Sequence, residues 1–119
     1  MVKVMIVDDE VAMREILKIM LKDYQIIEAT NGKEAVELYK LEKPDVVLMD
    51  IMMPIVNGID ATKKIKEIDP KSKIIVITAY ASSKGEKILE AGADYILKKP
   101  FKRKEVIKVI ESILSKNLQ

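Results

Sequence analysis

The sequence predicts an α/β domain in which helices cover both faces of one parallel sheet. Three observations carry that expectation. Short apolar runs at 4–7, 25–29, 45–49, 74–77 and 95–97 alternate with stretches of helical periodicity. Most of these runs are continuously aliphatic rather than alternating in polarity, which is how strands buried on both faces read. The chain is 49% hydrophobic but only 4% aromatic, so its core must be built from Ile, Val, Leu, Met and Ala.

The run Val4 to Val7 closes on Asp8, Asp9 and Glu10, and residues 11 to 22 then place Met13, Ile16, Leu17, Met20 and Leu21 on one helix face. After the brief strand 25–29, Asn31 with Glu34 three residues on has the form of a capping box, opening a helix to about Glu42. Pro44 ends that connection. The third strand stops at Asp50, and a loop through Met52, Met53, Pro54 and Gly58 leads to a helix whose apolar face is Ala61, Ile65 and Ile68. The fourth strand ends in Thr78, Ala79 and Tyr80. Ser83 and Glu86 repeat the capping-box spacing and predict a helix of about two turns, weakened by Gly85 and closed by a left-handed Gly92. The fifth strand precedes Lys98, Lys99, Pro100 and Phe101. A last helix from about Lys102 to Ser115 has an apolar arc wide enough to leave Ile107 and Val109 at its margins. We expect residues 1–119 to form one complete domain, opening at Met1 and ending just past the fifth helix, with 116–119 a frayed tail.

Composition removes several kinds of chemistry. A net charge of +2 with 34% charged residues gives no dominant basic field, so direct nucleic-acid binding is not expected. The absence of both Cys and His excludes thiolate and imidazole catalysis, thiolate or imidazole metal sites, and a phosphohistidine carrier. No apolar run is long enough for a membrane span or a secretory signal, and we expect a soluble, cytoplasmic protein.

In a parallel sheet all strands point one way, so Asp8 and Asp9 after the first strand, Asp50 after the third, Thr78 after the fourth and Lys99 after the fifth converge on one edge. Three carboxylates together repel by roughly 4 kcal/mol per pair at 4 Å and an effective dielectric near 20, and a divalent cation offsets this most economically. Hard oxygen donors without nitrogen or sulfur favour Mg²⁺, with Mn²⁺ possible, over Zn²⁺. Such a site suits a phosphoryl group, with Lys99 as a mobile cation and Thr78 as a hydroxyl donor for its oxygens.

With Asp8–Asp9, Asp50 followed by Pro54 and Gly58, Thr78–Ala79, Gly92–Ala93 and Lys99–Pro100–Phe101 in this order, the whole chain resembles the receiver domain of two-component response regulators, in its stand-alone, chemotaxis-regulator-like form. The resemblance implies a flavodoxin-like (βα)5 fold, doubly wound, with strand order 2-1-3-4-5. It implies that Asp50 is the phosphoacceptor, that Asp9 binds Mg²⁺ directly and Asp8 mainly through water, and that the backbone carbonyl of Met52 completes the protein ligands. Thr78 and Lys99 would hold phosphoryl oxygens, Ala79 would keep the approach open, and a cis bond before Pro100 would aim the lysine inward. The implied partners are a histidine kinase or histidine phosphotransfer domain and a downstream target protein that the sequence does not name. The fourth helix, fifth strand and fifth helix would form the output face.

The chain departs from the family at the aromatic position three residues before the lysine, which here is Ile96. Signalling then relies on backbone shifts, on neighbouring Tyr95 or on Tyr80; equally, Tyr95 is only a half-buried strand residue and Tyr80 only shades the site. Two alternatives stay open: a phosphorelay intermediate that passes its phosphoryl group to a second histidine domain, and a binding module independent of phosphorylation. A haloacid-dehalogenase-type phosphatase would need an acid where Met52 stands, so a multiple-turnover enzyme is not expected. A nucleotide- or flavin-binding module would need a glycine-rich first turn rather than Asp8–Asp9–Glu10.

Overall fold

In the computed structural model, residues 1–115 are described, and the expected frayed tail at 116–119 lies outside them. The elements alternate without exception: β1 (Lys3–Val7), α1 (Val11–Met20), β2 (Gln25–Ala29), α2 (Gly32–Glu42), β3 (Val46–Asp50), α3 (Gly58–Ile68), β4 (Ile74–Thr78), α4 (Ala81–Glu90), β5 (Tyr95–Lys98) and α5 (Arg103–Ser115). All four strand pairings are parallel, in the order β2-β1-β3-β4-β5. This is the parallel sheet that the sequence predicts, in the flavodoxin-like order that the family resemblance implies.

Strand alternation divides the core in two. Val47 and Met49 of β3 pack with Ala35, Tyr39, Ala61, Ile65 and Ile88 beneath α2, α3 and α4. Val46 and Leu48 pack instead with Leu17, Leu21, Val106, Ile110 and Ile113 beneath α1 and α5. Every residue of β3 and of β4 is buried, which explains their uninterrupted aliphatic sequences, and leaves Asp50 and Thr78 as the first polar groups at their ends.

Local chemistry sets the helix ends. Asn31 accepts the Glu34 N–H at 2.8 Å, while Glu34 reaches back one residue further than a capping box requires, to the N–H of Thr30 at 2.9 Å. The predicted box at Ser83 does not form. Helix α4 begins earlier, at Ala81, and runs 10 residues rather than two turns; Tyr80 precedes it without a side-chain cap. It ends as expected, with Gly92 at φ +106 and paired bonds from the Gly92 N–H to the Leu89 carbonyl and the Ala93 N–H to the Ile88 carbonyl. Two residues assigned to apolar faces lie at the surface instead, Ile16 at 45% and Ile68 at 44% exposure, because Leu17 and Leu21 with Met13 and Met20 fill the space under α1, and Ile59, Ala61, Thr62 and Ile65 that under α3.

Ile55, in the loop after β3, stands at φ +69 and is 77% exposed. A β-branched residue in left-handed backbone costs about 1–2 kcal/mol, and exposure returns little of it. Ile55→Asn is therefore expected to raise the urea midpoint by the equivalent of about 0.5–1 kcal/mol, since Asn tolerates this conformation. A lower midpoint would show that the Ile55 side chain makes contacts worth more than the strain.

Candidate functional site

The turn after β1 is held at several points. The Asp8 N–H donates to the Ala29 carbonyl at 3.1 Å, and Asp8 Oδ1 accepts the Glu10 N–H at 2.9 Å. Across the edge, β3 delivers Asp50 as its last residue. One carboxylate oxygen from each of Asp8, Asp9 and Asp50 falls in a group whose members all lie within 4.8 Å of one another. Asp8 and Asp50 are buried, at 2% and 7% exposure, and Asp9 is open to solvent.

The cationic side of the site comes from β4 and β5. The main-chain N–H of Lys99 donates to the Thr78 carbonyl at 2.9 Å, and the Lys99–Pro100 bond is cis, as expected. Lys99 Nζ lies 3.4 Å from Asp50 Oδ1, a long contact that leaves the ammonium free to turn to another oxygen. Thr78 is buried, and its hydroxyl oxygen accepts the Tyr80 N–H at 2.9 Å. Between them opens a cleft of about 240 Å³ lined by Glu10, Asp50, Met52, Thr78, Ala79, Tyr80 and Lys99.

The structure thus gathers Asp8, Asp9, Asp50, Met52, Thr78, Ala79, Tyr80 and Lys99 at one edge. Tyr95 and Ile96 are placed elsewhere. Tyr95 is 45% exposed and lines a groove with Lys108 and Val109 of α5. Ile96 packs against the core beneath α2 to α4, and a methyl group added to Gly85 of α4 would lie 3.9 Å from its Cδ1. Two residues at the site went unassigned in the sequence: Glu10, on the cleft wall, and Arg14, whose Nη1 donates to the Asp8 carbonyl at 2.8 Å. A signal for Arg14 was present, because it stands three and seven residues before Leu17 and Leu21 on the inward face of α1.

Burial is the main cause that pushes the Asp50 carboxyl up to about 6; the Asp8 charge adds to it and Lys99 opposes it. Asp8 is raised too, chiefly by burial. A carboxyl raised in the fold binds its proton more tightly there than in the unfolded chain, so metal-free protein should gain stability as pH falls from 7 through about 6 towards 4. The gain is about 1–2 kcal/mol after allowance for solvent at the cleft. Urea denaturation in chelator at pH 7 and pH 5 measures it; a fall in stability across that window would mean that the acids are already compensated. Asp69, whose carboxyl is lowered by the Tyr39 hydroxyl bonded to it, acts the other way only at lower pH.

The donor set fits a hard divalent cation. Three carboxylates, two of them buried, converge with one long lysine contact to offset them, and the chain has no His or Cys to add an imidazole or thiolate ligand.

A doubly wound parallel sheet with an acidic cleft at its carboxyl edge defines an α/β protein of the class whose ligand sites form where the strands end. Comparison with known proteins gives the family. The model of the response regulator receiver domain matches residues 4–111, and the chain belongs to that family. It is 46% identical over 115 residues to the chemotaxis protein CheY of Thermotoga maritima, covering 93% of this chain and 96% of that one. It is 44% identical over 116 residues to CheY of Halobacterium salinarum, covering 95% and 97%. Among solved structures it is similar to the CheX–CheY–BeF3–Mg²⁺ complex from Borrelia burgdorferi, with a TM-score of 0.88, 32% identity, and coverage of 94% of this chain and 88% of that chain. The protein is a phosphoacceptor receiver of two-component signalling, with an acidic pocket typical of a magnesium site. No helix among the described residues is long and apolar enough to cross a membrane.

Proposed function

We propose that Asp50 is the phosphoacceptor and that Asp8, Asp9, Asp50 and the main-chain carbonyl of Met52 hold Mg²⁺, or Mn²⁺ in its place. The observation that carries this reading is the convergence of three carboxylates within 4.8 Å, with the Lys99 ammonium 3.4 Å from Asp50. When bound, the cation neutralises charge on the transferring phosphoryl oxygens.

A carboxylate oxygen of Asp50 attacks phosphorus as the P–N bond of a phosphohistidine, or the P–O bond of an acyl phosphate, breaks. The leaving histidine nitrogen keeps the electron pair and takes a proton from solvent, whereas the carboxylate released from an acyl phosphate keeps the pair and needs no proton. Lys99 exchanges its long contact with Asp50 for a phosphoryl oxygen, and the Thr78 hydroxyl donates to another. Ala79 leaves the approach open. Water later attacks the same phosphorus, breaking its bond to Asp50 and regenerating the carboxylate; Met52, 57% exposed on the cleft wall, limits its entry.

Phosphorylation replaces the single negative charge of the Asp50 carboxylate by roughly −1.5 to −2 on the phosphoryl group, a net gain of about −1 or less that also moves the charge outward, and drawing Thr78 and Lys99 inward pulls on the segments that follow both. The output face is α4, β5 and α5. Tyr80, at the cleft beside α4, is the aromatic group placed to follow Thr78, while Ile96 stays packed and Tyr95 stays on the β5 surface. The phosphodonor is a histidine kinase or histidine phosphotransfer domain, and residues 1–119 act as a single receiver domain in the cytoplasm. Intact mass after incubation with acetyl phosphate tests the reading. One phosphoryl adduct is expected with Mg²⁺ and none in chelator; an adduct indifferent to chelator would sink the metal-assisted route.

A further inference from the structure

We propose that Arg14 is a positioning residue for the cation site, acting through the main-chain carbonyl of Asp8; this rests on the acidic pocket being a Mg²⁺ site. The Arg14 side chain is only 13% exposed, and a guanidinium taken that far out of water needs hydrogen-bonded partners. Its partners are not the three acids. Nη1 donates to the Asp8 carbonyl at 2.8 Å, and Nε donates to Glu28 Oε1 on β2 at 3.1 Å. Glu28 is itself held by Lys18 Nζ at 3.2 Å. The arginine therefore bridges the acidic turn to a neighbouring strand instead of neutralising the cleft.

Asp9 is the group that depends on this bridge. Among the described residues its carboxylate makes no hydrogen bond or ion pair, and it is exposed, so neither packing nor a partner fixes it within reach of Asp8 and Asp50. What fixes it is the backbone before it. The Asp8 N–H is tied to Ala29, the Asp8 side chain to the Glu10 N–H, and the Asp8 carbonyl to Arg14. That carbonyl belongs to the peptide joining Asp8 to Asp9, so releasing it frees the rotation that aims Asp9. The turn contains neither glycine nor proline to set its shape otherwise.

The sign of the effect separates this role from simple electrostatics. Removing a positive charge beside a cation site should tighten Mg²⁺ binding, whereas losing a clamp on a ligand-bearing peptide should weaken it. Calorimetric titration of metal-free protein with Mg²⁺ is expected to show Arg14→Met binding about tenfold more weakly than wild type, the lower end for groups that orient metal ligands. Arg14→Lys keeps the charge but replaces the planar fork by one ammonium that cannot serve both the carbonyl and Glu28 in the same geometry. It should weaken binding about threefold, where electrostatics alone predicts no change. Thermal melts confirm that each variant is folded, and Arg14→Lys carries the test should Arg14→Met not fold. Folded variants that bind Mg²⁺ as tightly as wild type, or more tightly, would overturn the proposal. Wild type that binds no Mg²⁺ would overturn the pocket reading with it, and Asp9→Asn, expected to lose binding, tells these failures apart.

Discussion

Asp50→Asn is expected to take up no phosphoryl group from acetyl phosphate and Mg²⁺, under conditions in which wild type gains one. The carboxamide has nearly the carboxylate's shape but lacks the charge and the nucleophilic oxygen, so the loss should be complete rather than partial. The same substitution should make metal-free protein more stable. It removes a buried charge 7% exposed and close to Asp8, whose repulsion and desolvation already push the Asp50 carboxyl up to about 6. A gain of about 1–2 kcal/mol, or several degrees in Tm, follows for a domain of this size. Intact mass reads the first effect and a thermal melt in chelator the second. An adduct on Asp50→Asn would move the phosphoacceptor to another acid and sink the assignment. A melt below wild type would mean that Asp50 contributes more through Lys99 than it costs by burial.

Gly58→Ala is expected to cost about 3 kcal/mol or more. An added Cβ would stand 1.9 Å from the Asp50 carbonyl oxygen and 2.8 Å from Ile51 Cα, both backbone atoms of the strand end that carries the site. The Gly58 N–H donates to the Ile51 carbonyl at 2.9 Å, so α3 cannot retreat without losing that bond. Helix start and strand end must separate, and Asp50 moves with them. Gly85→Ala is the contrast. Its Cβ meets only Ile96 Cδ1 at 3.9 Å, an ordinary contact, and replacing a mid-helix glycine should stabilise α4 by up to about 1 kcal/mol. Chemical denaturation of both variants checks the pair. Equal stabilities would mean that the α3 start shifts at little cost.

How much of this was legible in the sequence depended on the range of the interaction. The sheet was legible because β3 and β4 are buried on both faces, and burial of that kind leaves no polar residue until the strand ends. The site was legible for the same reason: Asp50 and Thr78 stand out against aliphatic runs, and parallel strands send their ends to one side. Arg14 was legible as an inward-facing residue, three and seven before Leu17 and Leu21, but its role was not, because its hydrogen bonds run to a turn and to β2 and no helical pattern encodes them. The start of α4 was misplaced because Ser83 and Glu86 have capping spacing without capping geometry. Ile16 and Ile68 fall on the predicted apolar faces yet lie at the surface, because periodicity marks an apolar arc but not how wide a strip of it the sheet can cover. Ile55 lay beyond such reasoning, since nothing in Pro54–Ile55–Val56 announces a left-handed residue.

The poverty of aromatic residues that shaped the core also makes this protein readable by light. With no tryptophan and only four tyrosines, ultraviolet absorbance and emission come from four phenols in distinct surroundings. Tyr39 is buried and bonded to Asp69, Tyr24 is partly buried beside α1 and α5, Tyr95 faces solvent on β5, and Tyr80 stands on the wall of the acidic cleft. Three of these rings lie away from the chemistry. Difference spectroscopy of the unlabelled chain therefore reports through Tyr80 on events at the cleft, and a Tyr80→Phe variant supplies the blank.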